Sequence, residues 1–309
     1  MSDDEQNFSD KVIYPLIFLG IFVLLIAISA EVDWFWNGGL YGTVAFKELA
    51  FVWLFSVLLP LILIIGWLIM ERFPQRVKEP TPIEGDKKKF IWWIIILLII
   101  QNTVPVFYIV FDRDLLYVDL VIAVLLIINF IAFAAIAAFF PIHSENAKRR
   151  KRWLIFFLIG VLPFYVLVGG LIGASWATTG GTQETLKLIY WIMMWGMVMP
   201  LSFVFLGVSW KNGRGESRKA FNIAFAGILM QYSFLEDFLF YALNGQPQPP
   251  LGYTALLNFP LDIARLFGHQ TVALTTVELL IWMIIMISIA VVIIFDIPYI
   301  VYKKITKKN

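Results

Sequence analysis

The sequence predicts an all-α integral membrane protein, a polytopic bundle of about eight transmembrane helices that forms a single domain over residues 1–309. Hydrophobic residues make up 60% and charged residues 15% of the 309-residue chain, against about 45–50% and about 25% in soluble proteins. The apolar residues gather into windows of membrane-spanning length, and the basic residues gather between alternate windows. A water-soluble globule would leave too much apolar surface exposed.

Each window has roughly 20 residues, the length that a helix needs to cross about 30 Å of hydrocarbon. Backbone hydrogen bonds must be made within the segment in lipid, so each window is predicted to be a helix. The eight windows lie near 12–30, 49–70, 90–111, 117–141, 153–175, 187–208, 220–244 and 275–302.

The basic residues predict the orientation. They follow the second, fourth, sixth and eighth windows, whereas the intervening loops hold only Lys47, Arg113, Lys187 and Arg265. By the positive-inside rule, both termini are cytoplasmic and the protein lies in the cell (cytoplasmic) membrane. The prediction gives a cytoplasmic N-terminus (1–11), a cytoplasmic linker (71–89), an outer loop (245–274) that is an interfacial helix or an irregular loop, and a cytoplasmic tail (303–309).

The stretch Gln231–Tyr241 places two adjacent carboxylates, Glu236 and Asp237, inside the seventh window. Ionisable groups at that depth are costly and by default mark a functional site. On a continuous helix Ser233, Asp237, Tyr241 and Asn244 would share one face, with Asp237 roughly 10 Å below the outer interface. A boundary error of a few residues would instead lift the pair into the headgroup layer.

Other polar residues are predicted at similar depths, where they would complete an outward-facing acidic pocket. Asp119 and Glu278 begin the fourth and eighth windows. Gln101, Asn129 and Gln231 lie nearer the midplane. Asp119 and Glu278 equally suit ordinary positions at a helix N-terminus, where the dipole favours a carboxylate.

The predicted pocket contains no lysine or arginine, so its carboxylates would keep a proton or bind a cation. With His269 from the outer loop, Glu236 and Asp237 would suit a divalent metal ion, whereas carboxylates and amides alone suit protons, sodium or calcium. His269 also fits an ordinary loop residue. The lack of cysteine excludes iron–sulfur clusters. The two histidines are predicted on opposite sides of the membrane, which disfavours haem. The sequence contains no nucleotide-binding fingerprint.

The segment Leu235-Glu-Asp-Phe-Leu-Phe-Tyr241 resembles the membrane-embedded acidic pair, followed by aromatics, of the small polytopic lycopene cyclases. The likeness covers seven of the 309 residues. Phe234 and Leu235 stand where that family usually has a proline before the pair. The resemblance implies an intramembrane enzyme that acts on an isoprenoid.

Three functional hypotheses follow. In the first, the pocket binds and moves a proton, a metal ion or a small cationic solute, and prolines near the middle of four windows permit rearrangement (Pro60, Pro105, Pro163 and Pro200). In the second, Glu236 or Asp237 is the general acid of an enzyme that acts on a lipid or isoprenoid. In the third, the chain is a non-catalytic subunit of a larger membrane complex or a homo-oligomer, and its acids face partner helices. Membrane lipids are expected partners, and nucleic acid is not.

Overall fold

The structure is a computed structural model that describes residues 8–37, 61, 87–97, 99, 116–141, 155, 199–214, 216–245 and 276–306. Nearly all of these residues are helical, and no strand is found among them. The all-α prediction is therefore confirmed for the described part of the chain.

The helices follow the apolar windows. A π-helical turn, Ser9–Ile13, leads into the first α-helix. The α-helices are α1 (Tyr14–Asn37), α2 (87–97), α3 (Leu116–Phe139), α4 (Met199–Arg214), α5 (Ser217–Gln231), α6 (Leu235–Leu243), α7 (Thr276–Ile294) and α8 (Ile297–Thr306).

Two segments in the described part, Lys11–Glu31 and Thr276–Ile294, are long and apolar enough to cross a membrane. The pair α5 and α6 makes a third if it is counted as one bent span. Of the eight predicted spans, the first corresponds to Lys11–Glu31 and the fourth to α3. The second and fifth lie outside the described residues apart from Leu61 and Ile155, and the third is described only over residues 90–97 and 99.

The helix bounds differ from the predicted windows in several places. The sixth window was expected to end at 208, but α4 continues to Arg214. The eighth was expected to be continuous to 302, but it is interrupted at Phe295–Asp296, so that Lys303 and Lys304 of the predicted tail lie in α8. Residues 87–89 of the predicted linker belong to α2. Hydropathy marks where apolar residues stop, whereas helical hydrogen bonding continues through polar ones.

The central helix of the described bundle is α5, which packs against α1, α3, α4 and α7. Buried aromatic rings fill the space between α1 and α4. The Phe22 ring meets the Phe203 ring edge-on at 5.3 Å between centroids, and the Tyr14 ring meets Trp210 in the same manner at 5.0 Å. The opposite faces of α1 and α7 expose large aliphatic side chains, as lipid-facing helices do.

Two glycines allow the close approach of α4 and α5. A Cβ atom on Gly207 would lie 2.5 Å from the carbonyl oxygen of Ala220, and one on Gly227 would lie 2.4 Å from the Phe203 ring. Small residues at such contacts let helix backbones approach in a membrane, where dispersion forces replace the hydrophobic effect between helices.

Contacts near the helix ends fix the relative directions of the helices. Lys211 was predicted to lie in a cytoplasmic loop, but its side chain is fully buried and its Nζ donates a hydrogen bond to the carbonyl oxygen of Ala138 in the last turn of α3. A cation there stabilises the carbonyl-rich end of that helix. Arg218 at the start of α5 pairs with Asp296 just beyond α7, at 2.8 Å between Nη2 and the carboxylate.

These contacts gather the beginnings of α1 and α5 and the ends of α3, α4 and α7 at one end of the bundle, here called the basal end. At the other end, Nδ2 of Asn244 lies 3.3 Å from the carboxylate of Glu31. The relative directions of these helices agree with the alternation that the sequence predicts.

Candidate intramembrane carboxylate site

The seventh predicted span is broken immediately before its two carboxylates. Helix α5 ends at Gln231, a turn occupies 232–234, and α6 begins at Leu235 with its axis bent by 56° from that of α5. Phe234 has a φ of 63°, in the left-handed region. A residue with a Cβ atom adopts this conformation at a cost of about 1–2 kcal/mol, so the surrounding contacts must stabilise the break.

Side chains satisfy the backbone groups that the break releases. The Ser233 hydroxyl donates to the carbonyl oxygen of Met230 at 2.6 Å and accepts a hydrogen bond from the N–H of Leu235 at 3.2 Å. From α7, the indole N–H of Trp282 donates to the carbonyl oxygen of Tyr232 at 3.2 Å. Irregular backbone is tolerated within a membrane only where protein groups take over its hydrogen bonds, and the break meets that requirement.

Glu236 and Asp237 lie in the first turn of α6. Glu236 is the more deeply buried of the two, with 1% of its surface exposed, whereas Asp237 is half-buried. Gln231 is also 1% exposed. The positive end of the helix dipole at the start of α6 favours a carboxylate, which lowers the cost of placing these two acids there.

The break changes the predicted polar face. Ser233 was expected to stack below Asp237 on a continuous helix, but it lies in the turn and its hydroxyl caps the backbone instead. Asp237 and Tyr241 remain one turn apart on α6, and Asn244 follows the last residue of that helix. The half-buried Tyr241 ring packs against Phe240, with 5.0 Å between centroids.

Asn129 lies on α3 at the level of the break. The ring of the next residue, Phe130, is 4.2 Å from the Tyr232 ring between centroids. Asn129 is buried, and its Oδ1 atom has no hydrogen-bond partner among the residues that the structure describes. A buried amide oxygen in this state can accept a hydrogen bond or contact a cation.

The remaining predicted site residues are spread more widely. Glu278 is half-buried in the first turn of α7, one turn before Trp282. Asp119 lies on α3 ten residues before Asn129, roughly 15 Å away along the helix axis. Gln101 and His269 lie outside the described residues. Of the predicted site residues, Gln231, Glu236 and Asp237 therefore flank the break, and Asn129 precedes the residue whose ring packs on Tyr232.

The described residues contain no group of three or more histidine, aspartate or glutamate side chains that could hold a metal ion. The two adjacent carboxylates are present, but His269, the third predicted ligand, lies outside the described ranges. Among the described residues, the donors at the break are carboxylate and amide oxygens, which suit a proton or a hard cation such as sodium or calcium.

Sequence reasoning did not predict the contacts that hold the break together. Ser233 was expected on the polar face and caps the backbone instead, while Tyr232 and Trp282, which make the contact from α7, carry no charge that would have drawn attention. Comparison with protein families, with curated proteins and with solved structures finds no match to this chain.

Proposed function

We propose that this chain is a membrane transport protein in which Glu236, with Asp237, binds a proton or a small cation at the break in the α5–α6 span. The observation that carries the proposal is the burial of Glu236 beside a helix break in an apolar bundle. Discontinuous helices frame the ion sites of many secondary transporters, because their half-helix ends provide polar groups in mid-membrane.

The local sequence supports a cationic occupant. The predicted seventh span, 220–244, carries two adjacent carboxylates and no lysine, arginine or histidine. Burial in an apolar bundle disfavours a bare negative charge, so protonation or cation binding is the chemistry that this pair suits.

The proposed orientation places the basal end in the cytoplasm. Lys11, Arg218, Lys219, Lys303 and Lys304 all lie at that end, which is the distribution that the positive-inside rule describes for a cytoplasmic face. The break then lies toward the outer half of the bilayer, and both termini are cytoplasmic in a cell-membrane protein.

A second candidate, an intramembrane enzyme acting on a lipid or isoprenoid, is favoured by one observation. Between Asn222 and Gln231 every residue of α5 is apolar, so polar side chains do not continue along this helix toward the basal end. A site closed on one side suits an enzyme with Glu236 as general acid, and it equally suits a transporter closed toward the cytoplasm. The third hypothesis, a subunit whose acids face partner helices, receives no support from the buried Glu236.

Proteoliposomes separate the first two candidates. Three purified proteins are reconstituted into liposomes that contain a pH dye: wild type, Glu236→Gln and Glu216→Gln. Proton movement is then followed under a potassium diffusion potential, with sodium or calcium in the outer solution. We expect flux in wild type and in Glu216→Gln, an acid at the far end of α5 that is paired with Lys219. Glu236→Gln should fall to the rate of protein-free liposomes.

If Glu236→Gln carries the same flux as wild type, the transport proposal for this residue is refuted. If no condition gives flux in wild type, the membrane lipids are extracted and analysed by mass spectrometry after incubation with wild type or Glu236→Gln. A product formed only by wild type would assign the enzyme function instead.

A further inference from the structure

A cavity of about 940 Å³ opens at the basal end of the bundle, far from the break. It lies where α1 and α5 begin and where α7 gives way to α8. Neither the proposed ion site nor any of the sequence hypotheses uses it, and its size is in the range of sites for small organic ligands.

The rim of the cavity is strongly basic. Five cationic side chains face two carboxylates, those of Glu216 and Asp296. The carboxylates each hold one cation, because Glu216 pairs with Lys219 at 3.0 Å and Asp296 pairs with Arg218 at 2.8 Å. The other three cations, Lys11, Lys303 and Lys304, make no ion pair with any residue that the structure describes.

Several contacts hold Arg218 at this rim. Its Nε and Nη2 atoms both contact the Asp296 carboxylate, and its guanidinium lies 3.5 Å over the Tyr299 ring. Asn222 donates a further hydrogen bond to the same carboxylate at 3.0 Å. Asp296 adopts a φ of 60° in the turn between α7 and α8, so this network also sets where Lys303 and Lys304 lie.

The start of α5 adds backbone donors to the cavity. As in any helix, the first N–H groups have no acceptor within α5. The first helical hydrogen bond runs from the N–H of Ala220 to the carbonyl oxygen of Glu216, the residue just before the helix. The Glu216 side chain does not cap them. Backbone N–H groups at a helix start, next to lysines, favour an anion such as a phosphate group.

The walls below this rim are apolar. The buried lining residues are Tyr14, Phe18, Trp210, Ile223 and Ile294, each at most 6% exposed. A small soluble anion would gain nothing from these side chains. A molecule with an anionic head and a hydrocarbon body would satisfy both the rim and the walls.

We propose that this cavity binds the headgroup of an anionic phospholipid. In that arrangement Lys11, Lys303 and Lys304 contact the phosphate oxygens, the first N–H groups of α5 point toward the same anion, and the upper acyl chains lie along the aromatic wall. The site is independent of Glu236, so the two proposals fail separately.

Native mass spectrometry of the delipidated, detergent-solubilised protein tests this proposal. Phosphatidylglycerol and phosphatidylcholine of equal chain length are titrated against wild type, K303Q/K304Q and K87Q/K88Q. The last pair is a matched control, because Lys87 and Lys88 are adjacent, exposed and helical but do not line the cavity. We expect wild type to prefer phosphatidylglycerol, and K303Q/K304Q to weaken its binding about 25-fold, since each lysine near an anionic lipid contributes about a fivefold factor. K87Q/K88Q should resemble wild type.

Three results would overturn the proposal. Equal losses in the two double variants would mean general attraction to the basic face, with no contribution from the cavity. Displacement of the lipid by millimolar inorganic phosphate would mean that the rim alone binds a soluble anion. Retention of lipid binding by K303Q/K304Q, with the preference for phosphatidylglycerol intact, would equally refute the assigned lysines.

Discussion

Gly207→Ala tests the helix contact that positions the start of α5, which lines the basal cavity. The new methyl group would lie 2.5 Å from the carbonyl oxygen of Ala220 and 3.1 Å from the Cβ atom of Ala137. Ordinary contacts of this kind begin at 3.4 Å, so α4 and α5 would have to separate by roughly 0.9 Å. The carbonyl belongs to the first turn of α5 and cannot rotate away as a side chain would.

Overpacking of this kind costs about 1–3 kcal/mol, and it would offset the gain of up to about 1 kcal/mol that alanine offers over glycine in a helix. We therefore expect Gly207→Ala to lower the free energy of unfolding. The control is Gly20→Ala on the exposed face of α1, where no atom lies within 4 Å of the added methyl group. That variant should be neutral or slightly more stable.

Both variants are measured by equilibrium unfolding in mixed detergent micelles, with the intrinsic fluorescence of buried tryptophan as the signal. Trp210, which is 2% exposed on the same face of the bundle, reports on loosening of the α1–α4 packing. A Gly207→Ala variant as stable as Gly20→Ala would show that α4 and α5 are not in close contact there. The placement of the start of α5, and with it the basal cavity, would then be wrong.

Two further changes test the turns. Ser233→Ala removes a hydroxyl that makes two hydrogen bonds to freed backbone groups. It should therefore lower the free energy of unfolding by about 1–3 kcal/mol in the same assay. The control is Ser209→Ala, because the Ser209 hydroxyl bonds only the helical carbonyl of Phe205. Equal losses would contradict the role of Ser233 at the break. Asp296→Ala should be less stable than Asp296→Asn by at least about 1 kcal/mol, because asparagine tolerates a left-handed φ and can still bond Arg218. Equal stability of the two variants would contradict the left-handed turn at Asp296.

The helices could be predicted where the sequence leaves the backbone no alternative. A continuous apolar run in lipid must be helical, which is why the predicted start at 275 and the observed start at Thr276 nearly coincide. The interruption after Ile294 also had a local signal, since Pro298 is the second residue of α8 and proline is tolerated in the first turn of a helix. That signal was outweighed by the hydropathy of the window.

The break at 232–234 could not be predicted in the same way. The stretch from Gln231 to Leu235 contains neither glycine nor proline, and Phe234 is a poor residue for a left-handed φ. Its geometry depends on Trp282, which is 50 residues away in the sequence. Local propensity carries no information about that contact.

Lys211 shows a related limit of sequence reasoning. A lysine at the end of an apolar window is predicted to be a solvated loop residue, because charged side chains normally stay in water. Here the long side chain reaches the end of a neighbouring helix, where a backbone carbonyl accepts its hydrogen bond. Which helix end lies within reach is a property of the packing and is not visible in the residues around position 211.

Helix α5 connects the two proposed sites and also insulates them from each other. Its residues 223–230 are all apolar, and Gly227 within them presses against the Phe203 ring of α4. This segment spans roughly 12 Å, so α5 itself offers a cation at the proposed Glu236 site no polar side chain toward the basal end. The straight half of the span is held by close backbone contact, whereas the bend is held by a few side-chain hydrogen bonds. Movement that opens Glu236 to either side is therefore expected at α6 and the 232–234 turn, while α5 stays in place.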